Sequence, residues 1–211
     1  MPQVHTLLRF AIAFSLGVIA PALQAAALTV SVADNTGKPV ADAVVYAIPE
    51  GGAPAPARGV TAILDQIDKE FVPFVLPVQV GTQVRFPNQD NIRHNVYSFS
   101  PARTFSLELY KGAAAPPVTF DKPGVVVMGC NIHDKMLAYI FVADTPHFAR
   151  TDAAGTLVLK ELPPGRYEVR AWHPRLVDAA ESSMQKTSVG AGDVKLAFTL
   201  ALKPERKHSH K

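Results

Sequence analysis

Turn-forming residues interrupt this sequence at short intervals, and this feature limits what the chain can fold into. Eighteen prolines and 13 glycines occur among 211 residues, and turn signals such as KPG at 122–124 and PPG at 163–165 separate short segments. Within the segments apolar and polar residues alternate, and the longest run has an apolar residue at every second position from Val194 to Leu200. Period two over short segments is typical of strands in sandwiches and barrels. The sequence predicts an all-β protein, in which only the polar stretch 178–186 permits a helix.

Residues 1–27 are predicted to be a secretory signal peptide. The 24 residues between Arg9 and Asp34 carry no ionisable side chain, and an apolar core at 10–20 precedes a small-residue site at 25–27. A basic residue, a short apolar core and such a site are the parts of an export signal. An uncleaved membrane anchor is the alternative, but Pro21, Gln24 and the many alanines weaken a spanning helix. We expect cleavage near Ala25–Ala27, a periplasmic location and no membrane attachment afterwards.

The formal net charge of +3 does not indicate a nucleic-acid-binding protein. The segment from Lys203 to Lys211 holds four basic residues and one Glu, so it carries +3 by itself. Without this segment and Arg9, the rest of the chain has a formal charge of −1. A basic face for nucleic acid is therefore not expected. Residues 204–211 are predicted to be a disordered basic tail.

Cys130 is the only cysteine, so no internal disulfide is available to it in an exported protein. It is an inert buried thiol, an intermolecular link or a functional thiolate. His133 and Met136 follow within a seven-residue window, and strand-like segments lie on both sides. Neither strand nor helix spacing brings positions i, i+3 and i+6 to one point, whereas a tight loop does. We therefore place these three residues on a loop that joins two strands.

The side chains on this loop are those of a blue copper centre. A thiolate, imidazoles and a weak thioether favour copper, whereas zinc rarely takes methionine. A second imidazole is required, and His94 lies 36 residues before Cys130, after a strand-like run and a loop at 81–93. A Cys–His nucleophilic dyad is a rival interpretation. It has no evident orienting group, and it leaves His94 and Met136 without roles.

Residues 59–145 resemble the cupredoxin family. HNVYSF at 94–99 resembles the family's motif around its first histidine ligand, and FDKPG at 120–124 followed by C-x-x-H-x-x-M resembles its second ligand segment. The two-residue spacings on both sides of His133 are similar to the short loop of amicyanin. The sequence around the ligands is also similar to cupredoxin-like proteins of methylamine utilisation.

The resemblance implies one type 1 copper ion with three equatorial ligands, one axial ligand and an outer layer of hydrogen bonds. The implied equatorial ligands are His94, Cys130 and His133, and the implied axial ligand is Met136. Asn95, which follows the first ligand, is expected to tie the two ligand segments together by hydrogen bonds. Asn131 is expected in the same outer layer.

The ligand loop departs from the family pattern at several positions. Amicyanin-like and plastocyanin-like sites usually have proline beside each histidine, where this chain has Arg93, Ile132 and Asp134. In the family the downstream histidine faces redox partners, so the expected docking surface around His133 consists of Ile132, Asp134 and Lys135. These departures bear on partner identity and reduction potential more than on copper binding.

Segments before and after the cupredoxin-like stretch resemble the two halves of a carboxypeptidase-regulatory-like, prealbumin-type β-sandwich. The resembling segments are 29–49 and 150–174, which contain DNTGKPVADAVV at 34–45 and TDAAGTLVLKELPPGRYEV at 151–169. A Pro/Gly/Ala-rich linker at 49–57 and a junction at 144–146 separate the parts. We predict a cupredoxin Greek-key β-sandwich at 59–145, inserted in or packed on a small prealbumin-like β-sandwich formed by 28–58 plus 146–203. One continuous larger sandwich is the alternative.

Together these features predict a copper protein that carries single electrons and is not an enzyme. The expected partners are redox proteins such as a dehydrogenase or a c-type cytochrome, in a setting connected with amine oxidation. A copper storage or delivery module and a metal-free structural β-sandwich are the alternatives. His147 and His173 are expected to be structural or surface residues, and His208 and His210 of the tail are expected to bind metals only loosely.

Overall fold

The chain folds into strands throughout the part that the structure describes. A computed structural model describes residues 26–52, 55–113, 115–178, 183–190 and 192–204. These ranges contain seventeen strands and no helix, so the predicted all-β class is confirmed. No helix that is long and apolar enough to cross a membrane occurs in them. The strands are β1 Ala26–Asp34, β2 Val44–Pro49, β3 Thr61–Ile63, β4 Asp65–Ile67, β5 Glu70–Val72, β6 Val75–Gln79, β7 Thr82–Arg85, β8 His94–Ser100, β9 Arg103–Tyr110, β10 Val118–Phe120, β11 Gly124–Gly129, β12 Leu137–Ala143, β13 Phe148–Arg150, β14 Thr156–Leu162, β15 Gly165–Trp172, β16 Ser183–Val189 and β17 Val194–Leu200.

These strands form five sheets. Strands from the two ends of the chain form the sheets β14-β1-β17 and β13-β2-β15-β16. Strands from the middle form β10-β7-β3, the hairpin β4-β5 and the five-stranded sheet β6-β12-β11-β8-β9, which we call the site sheet. The end sheets join distant parts of the sequence, since β1 pairs antiparallel with β14 and parallel with β17. The division into domains at 28–58 plus 146–203 and 59–145 stays a prediction.

Three strands of the site sheet, β6, β11 and β12, have apolar side chains on both faces, and successive side chains of a strand point to opposite sides. On β12, Ile140 and Val142 belong to a buried cluster that also contains Cys130. Phe141 and Ala143 belong to a second cluster, which is built mainly from strands at the two ends of the chain. The site sheet therefore takes part in two cores and is held from both sides.

Aromatic side chains connect the site sheet with the strands at the chain's ends. The ring of Phe141 lies 5.0 Å from that of Tyr46 and 5.1 Å from that of Trp172, between centroids. Trp172 also lies 6.1 Å from Tyr139. Aromatic pairs of this kind add about 0.5–1.5 kcal/mol beyond their buried area. One core thus contains residues of both predicted segments, and their independence as inserted domains stays a prediction, as does the prealbumin-like resemblance.

The helix that the sequence permits at 178–186 is wrong for residues 183–186, which form a strand. Residues from Ser183 onwards belong to β16, which pairs antiparallel with β15, and residues 179–182 lie outside the described ranges. β16 is an edge strand with one exposed face, and its residues are mostly polar. Because apolar and polar residues do not alternate clearly in it, its sequence pattern alone does not distinguish a strand from a polar helix. Pairing with β15 decides its conformation.

The predicted signal peptide falls mostly on residues 1–25, which lie outside the described ranges. Ala26 and Ala27 are the first residues of β1, where Ala26 pairs with Leu162 and the amide of Ala27 donates to Asp193 Oδ1 at 3.1 Å. The first strand therefore begins two residues before the predicted domain boundary. Residues 205–211 also lie outside the described ranges, and the disorder of the tail stays a prediction.

Candidate metal centre

The candidate centre lies on the loop between β11 and β12. These strands are antiparallel neighbours whose last pair is Gly129 and Leu137, so residues 130–136 connect them at the end of the site sheet. The amide of Met136 donates to the carbonyl of His133 at 2.9 Å, which folds the loop into a turn. A loop between two strands is also what the spacing of the ligand-type residues predicts.

Three ligand-type side chains converge at this loop. Donor atoms of His94, Cys130 and His133 all lie within 4.8 Å of one another, and no other such group of His, Cys, Asp and Glu occurs in the described residues. The sulfur of Cys130 is 3.9 Å from Nδ1 of His94, and the centroids of the two imidazole rings are 5.2 Å apart. His94 and Cys130 are buried, whereas His133 is half-buried.

His94 is held by a carboxylate that the sequence analysis did not identify. Nε2 of His94 lies 2.7 Å from Oδ2 of Asp90, four residues earlier. An ionised carboxylate only accepts hydrogen bonds, so in the neutral imidazole Nε2 carries the proton and Nδ1, which faces Cys130, is left with the lone pair. Only the spacing D-x-x-x-H within a turn-rich loop hints at this contact in the sequence.

Asp90 stays ionised because its surroundings stabilise the charge. Burial acts to raise the pKa of Asp90, but hydrogen bonds from His94 and from the amides of Lys69 and Asp68 lower this pKa below its ordinary value in total. A charged Asp90 fixes the orientation of the His94 ring and increases its basicity, as carboxylates behind metal-binding histidines do.

His133 offers a nitrogen that nothing in the protein satisfies. Its Nδ1 is buried and has no hydrogen-bond partner. A buried polar atom without a partner costs about 1–3 kcal/mol of desolvation free energy. A metal ion that accepts the nitrogen's lone pair removes this cost, so the atom itself points to a ligand.

Hydrogen bonds hold the two ligand segments together. Oδ1 of Asn95, in β8 next to His94, accepts the amide hydrogen of Asn131 at 2.9 Å, next to Cys130. The amide of Ile132 lies 3.4 Å from the sulfur of Cys130 and donates to it. These contacts link the start of β8 with the start of the loop, and the second one places positive charge density at the sulfur.

Met136 closes the loop and is 2% exposed. It belongs to the same buried cluster as Cys130, at the end of the site sheet. The outer surface of the loop is different: Ile132 is 49% exposed, and Asp134 and Lys135 are exposed. The loop therefore combines an enclosed thiol and thioether with an accessible face around His133.

The two other histidines of the described residues, His147 and His173, do not belong to this cluster. His147 is half-buried and lies 6.0 Å from the ring of Tyr167. His173 is buried, and burial together with the charge of Arg175 lowers its pKa to about 4. Both belong to the part of the chain formed by the end strands, and His208 and His210 lie outside the described residues.

The chain was compared with known proteins by sequence and by structure, and only the comparison of structures found matches, which include copper proteins. No family model and no curated protein sequence match the chain. A reduced Cu(I) form of an amicyanin variant is 25% identical and aligns over 46% of this chain and 99% of its own, with a TM-score of 0.36. A purple cupredoxin from Nitrosopumilus maritimus is 20% identical over 40% of this chain and 99% of its own, with a TM-score of 0.34.

A copper-containing nitrite reductase from Thermus scotoductus SA-01 is also similar in structure. It is 26% identical over 54% of this chain but only 28% of its own, with a TM-score of 0.37. All three TM-scores lie below 0.5, so the interpretation of the site depends on its own geometry and chemistry. The structure itself shows an all-β fold with a His–Cys–His cluster, of which His94 and Cys130 are buried and His133 is half-buried.

Proposed function

We propose that this protein binds one copper ion in a type 1 site and carries single electrons between redox partners in the periplasm, without an enzymatic reaction of its own. The supporting observation is the convergence of one thiol and two imidazoles within 4.8 Å at the end of the site sheet. Thiolate and imidazole ligands, with the thioether of Met136 buried in the same cluster as the thiol, favour copper over zinc and over the oxygen-preferring ions.

The donor atoms fit copper because their surroundings leave them available. Asp90 occupies Nε2 of His94 and leaves Nδ1 for the ion, and Nδ1 of His133 has no partner. Together with the sulfur of Cys130 they would hold the metal, with Met136 as a weaker fourth ligand. When bound, copper would supply one-electron chemistry by alternating between Cu(I) and Cu(II).

The protein's own contribution is rigidity. A carrier exchanges electrons quickly when its ligands keep one arrangement in both oxidation states. Asp90 fixes His94, and the bond between Asn95 and Asn131 fixes the loop against β8. The thiol is enclosed in a core of closely packed apolar side chains. These restraints would keep the ligand geometry the same when the bound ion changes its oxidation state.

Electron exchange is assigned to the face around His133, the most accessible of the three ligands. Ile132 offers apolar contact area, and the exposed Asp134 and Lys135 steer encounter with a charged partner. A redox protein such as a dehydrogenase or a c-type cytochrome fits this role. A connection with amine oxidation belongs to the same proposal.

Storage or delivery of copper is less well supported by the burial of the ligands. Handing an ion to another protein needs ligands that the acceptor can reach, but His94 is 0% and Cys130 is 5% exposed. A metal-free structural role would leave Nδ1 of His133 buried and unsatisfied. A Cys–His nucleophile would have to use His94, which Asp90 orients and which lies beside the Cys130 sulfur. It would leave His133 and Met136 without roles.

The optical spectrum of the copper-loaded, oxidised protein tests the proposal. Charge transfer from the Cys130 thiolate to Cu(II) should make the protein intensely blue, and Cys130→Ser should bleach it. His147→Gln, which removes an imidazole outside the cluster, is the control and should leave the colour unchanged. A colourless protein that retains one Cu(II) per chain would contradict the type 1 assignment.

A further inference from the structure

The hairpin β4–β5 has an unusual turn for its sequence. Its two central residues, Asp68 and Lys69, have φ angles of 53° and 64°. Positive φ at both positions is the pattern of a two-residue type I′ turn, which favours glycine and asparagine. A lysine rarely adopts this conformation. Such backbone persists only where neighbouring groups fix it.

The groups that fix the turn are the two oxygens of Asp90. The amide of Asp68 donates to Oδ1 at 2.8 Å, and the amide of Lys69 donates to Oδ2 at 2.9 Å. The same Oδ2 lies 2.7 Å from Nε2 of His94. Two left-handed residues and one candidate metal ligand therefore share a single carboxylate.

Buried hydrogen bonds fix the hairpin relative to the loop that carries Asp90. Gln66 in β4 is fully buried, and its Nε2 donates to the hydroxyl of Tyr110 at 2.6 Å and to the carbonyl of Pro87 at 3.0 Å. The amide of Asp90 in turn donates to Oδ1 of Asn88 at 3.0 Å. The turn therefore cannot shift without breaking buried contacts, which are costly to lose.

We propose that the turn of Asp68 and Lys69 is a positioning element for His94. Its two amides hold both oxygens of Asp90, so that Oδ2 stays in line with Nε2 of His94 rather than turning towards solvent. The side chain of Asp90 is 12% exposed, so this alternative is open to it. The inference rests on the proposed function for its effect on copper, whereas its effect on His94 needs no metal.

A matched pair of substitutions at the exposed Lys69 separates backbone conformation from side-chain charge. Lys69→Gly and Lys69→Val both remove the ammonium group, but glycine adopts positive φ readily and β-branched valine does not. The measurement is the exchange rate of the His94 Nε2 proton with water, followed by NMR in the metal-free, ¹⁵N-labelled protein. Lys69→Gly should match the wild type, and Lys69→Val should exchange about tenfold faster, as expected for one weakened hydrogen bond.

Two further measurements keep the result specific. The amides of Phe71 in β5 and of Val96 in β8, both buried residues, should exchange no faster in Lys69→Val than in the wild type, which would show that the fold is intact. Because the turn acts through Asp90, Lys69→Val should have no added effect in the Asp90→Asn background, so the two substitutions should be non-additive. The same comparison of His94 Nε2 proton exchange can be made at the other turn position, between Asp68→Val and Asp68→Gly.

Equal exchange rates in Lys69→Val and Lys69→Gly would overturn the inference. In the copper-loaded protein, Lys69→Val should shift the reduction potential in the same direction as Asp90→Asn, and Lys69→Gly should not. If exchange in the metal-free protein behaves as expected but copper gives no blue colour, the proposed function fails and the positioning role of the turn stands.

Discussion

At the scale of single residues, the candidate centre depends on which nitrogen each imidazole leaves free. His94 has its Nε2 bound to Asp90, and His133 has a buried Nδ1 without a partner. Nδ1 of His133 therefore has no partner among the described residues, and Nδ1 of His94 has only the sulfur of Cys130 at 3.9 Å. Asp90 has a separate role: it is not a proposed copper ligand, but its contact with Nε2 leaves Nδ1 of His94 to bind a metal ion.

Asp90→Asn tests that role. Removal of the negative charge behind His94 makes the ring a poorer donor to Cu(II), so affinity for Cu(II) should fall by about 10–100-fold and the reduction potential should rise. Asp134→Asn, which removes one charge from the exposed part of the same loop, is the control and should change both quantities much less. Copper titration and voltammetry measure them, and an unchanged potential in Asp90→Asn would contradict this role of the carboxylate.

Met136→Leu tests whether the thioether tunes the site or holds it. A weak sulfur donor contributes little to binding but stabilises Cu(II), so the variant should keep copper and colour while its reduction potential rises. Leucine has a similar volume, so the free energy of unfolding should change by less than about 1.5 kcal/mol. Met184→Leu, at an exposed position of β16, is the control. Complete loss of copper in Met136→Leu would show that the ligand arrangement is different.

The candidate ligands can be predicted from the sequence because their chemistry and spacing are visible in it. Cys130, His133 and Met136 lie in one short segment between strand-like runs, and His94 opens another strand. Asp90 cannot be predicted in the same way, because nothing local distinguishes a carboxylate that faces a buried histidine from one that faces solvent. Its role depends on the hairpin β4–β5, which is remote in sequence.

At the scale of elements, alternation of apolar and polar residues predicts where strands lie but not how they pair. The parallel pairing of β1 with β17 joins segments more than 160 residues apart, and no local pattern contains that information. The failure at 178–186 has the same origin, since an edge strand with one solvated face has little apolar pattern of its own. The ligand loop could be placed because both of its flanking strands are strongly apolar.

The ligand loop is also the element on which the docking proposal is tested. Exchanging the charges of Asp134 and Lys135 (Asp134→Lys with Lys135→Asp) keeps the net charge but reverses the local field, so the rate of electron exchange with a c-type cytochrome should change at low ionic strength. The effect should shrink at high salt, because exposed charges are screened over about 8 Å at physiological ionic strength. The visible spectrum should stay the same, since neither residue is a proposed ligand.

A second charge exchange away from the loop provides the control for this experiment. Lys160→Glu with Glu161→Lys reverses an exposed pair on β14 and should leave the exchange rate unchanged. Normal electron exchange at low salt in the loop variant would show that the docking face lies elsewhere, while the copper assignment would stand.

At the scale of the whole molecule, the site sheet is held between two cores. One core encloses the thiol and thioether, and the other packs the opposite face of the same sheet against strands from both ends of the chain. The contacts of Trp172 with Tyr139 and Phe141 belong to this second core. A change that loosens the second core therefore acts on the sheet that carries the ligands.

We expect His173 to make the stability of the protein pH-dependent. The residue follows Trp172, and its Nδ1 accepts the amide hydrogen of Arg175 at 3.1 Å. Burial and the charge of Arg175 lower its pKa from the ordinary 6.5 to about 4, so the folded protein keeps this imidazole neutral where the unfolded chain protonates it. The stabilisation is complete above pH 6.5, decreases as the pH falls from 6.5 towards 4, and decreases no further below that value.

The expected loss between pH 7 and pH 4.5 is about 2–3 kcal/mol of the free energy of unfolding, because each unit of pKa difference corresponds to ~1.4 kcal/mol. Urea denaturation of the metal-free protein at the two pH values measures it. His173→Gln cannot be protonated, so this variant should be less stable than the wild type at pH 7 but should lose much less stability on acidification. His147→Gln is the matched control and should retain most of the wild-type pH dependence, since His147 is only half-buried. The same pH dependence in the wild type and in His173→Gln would mean that acid acts on the protein through other groups, such as the candidate ligands themselves.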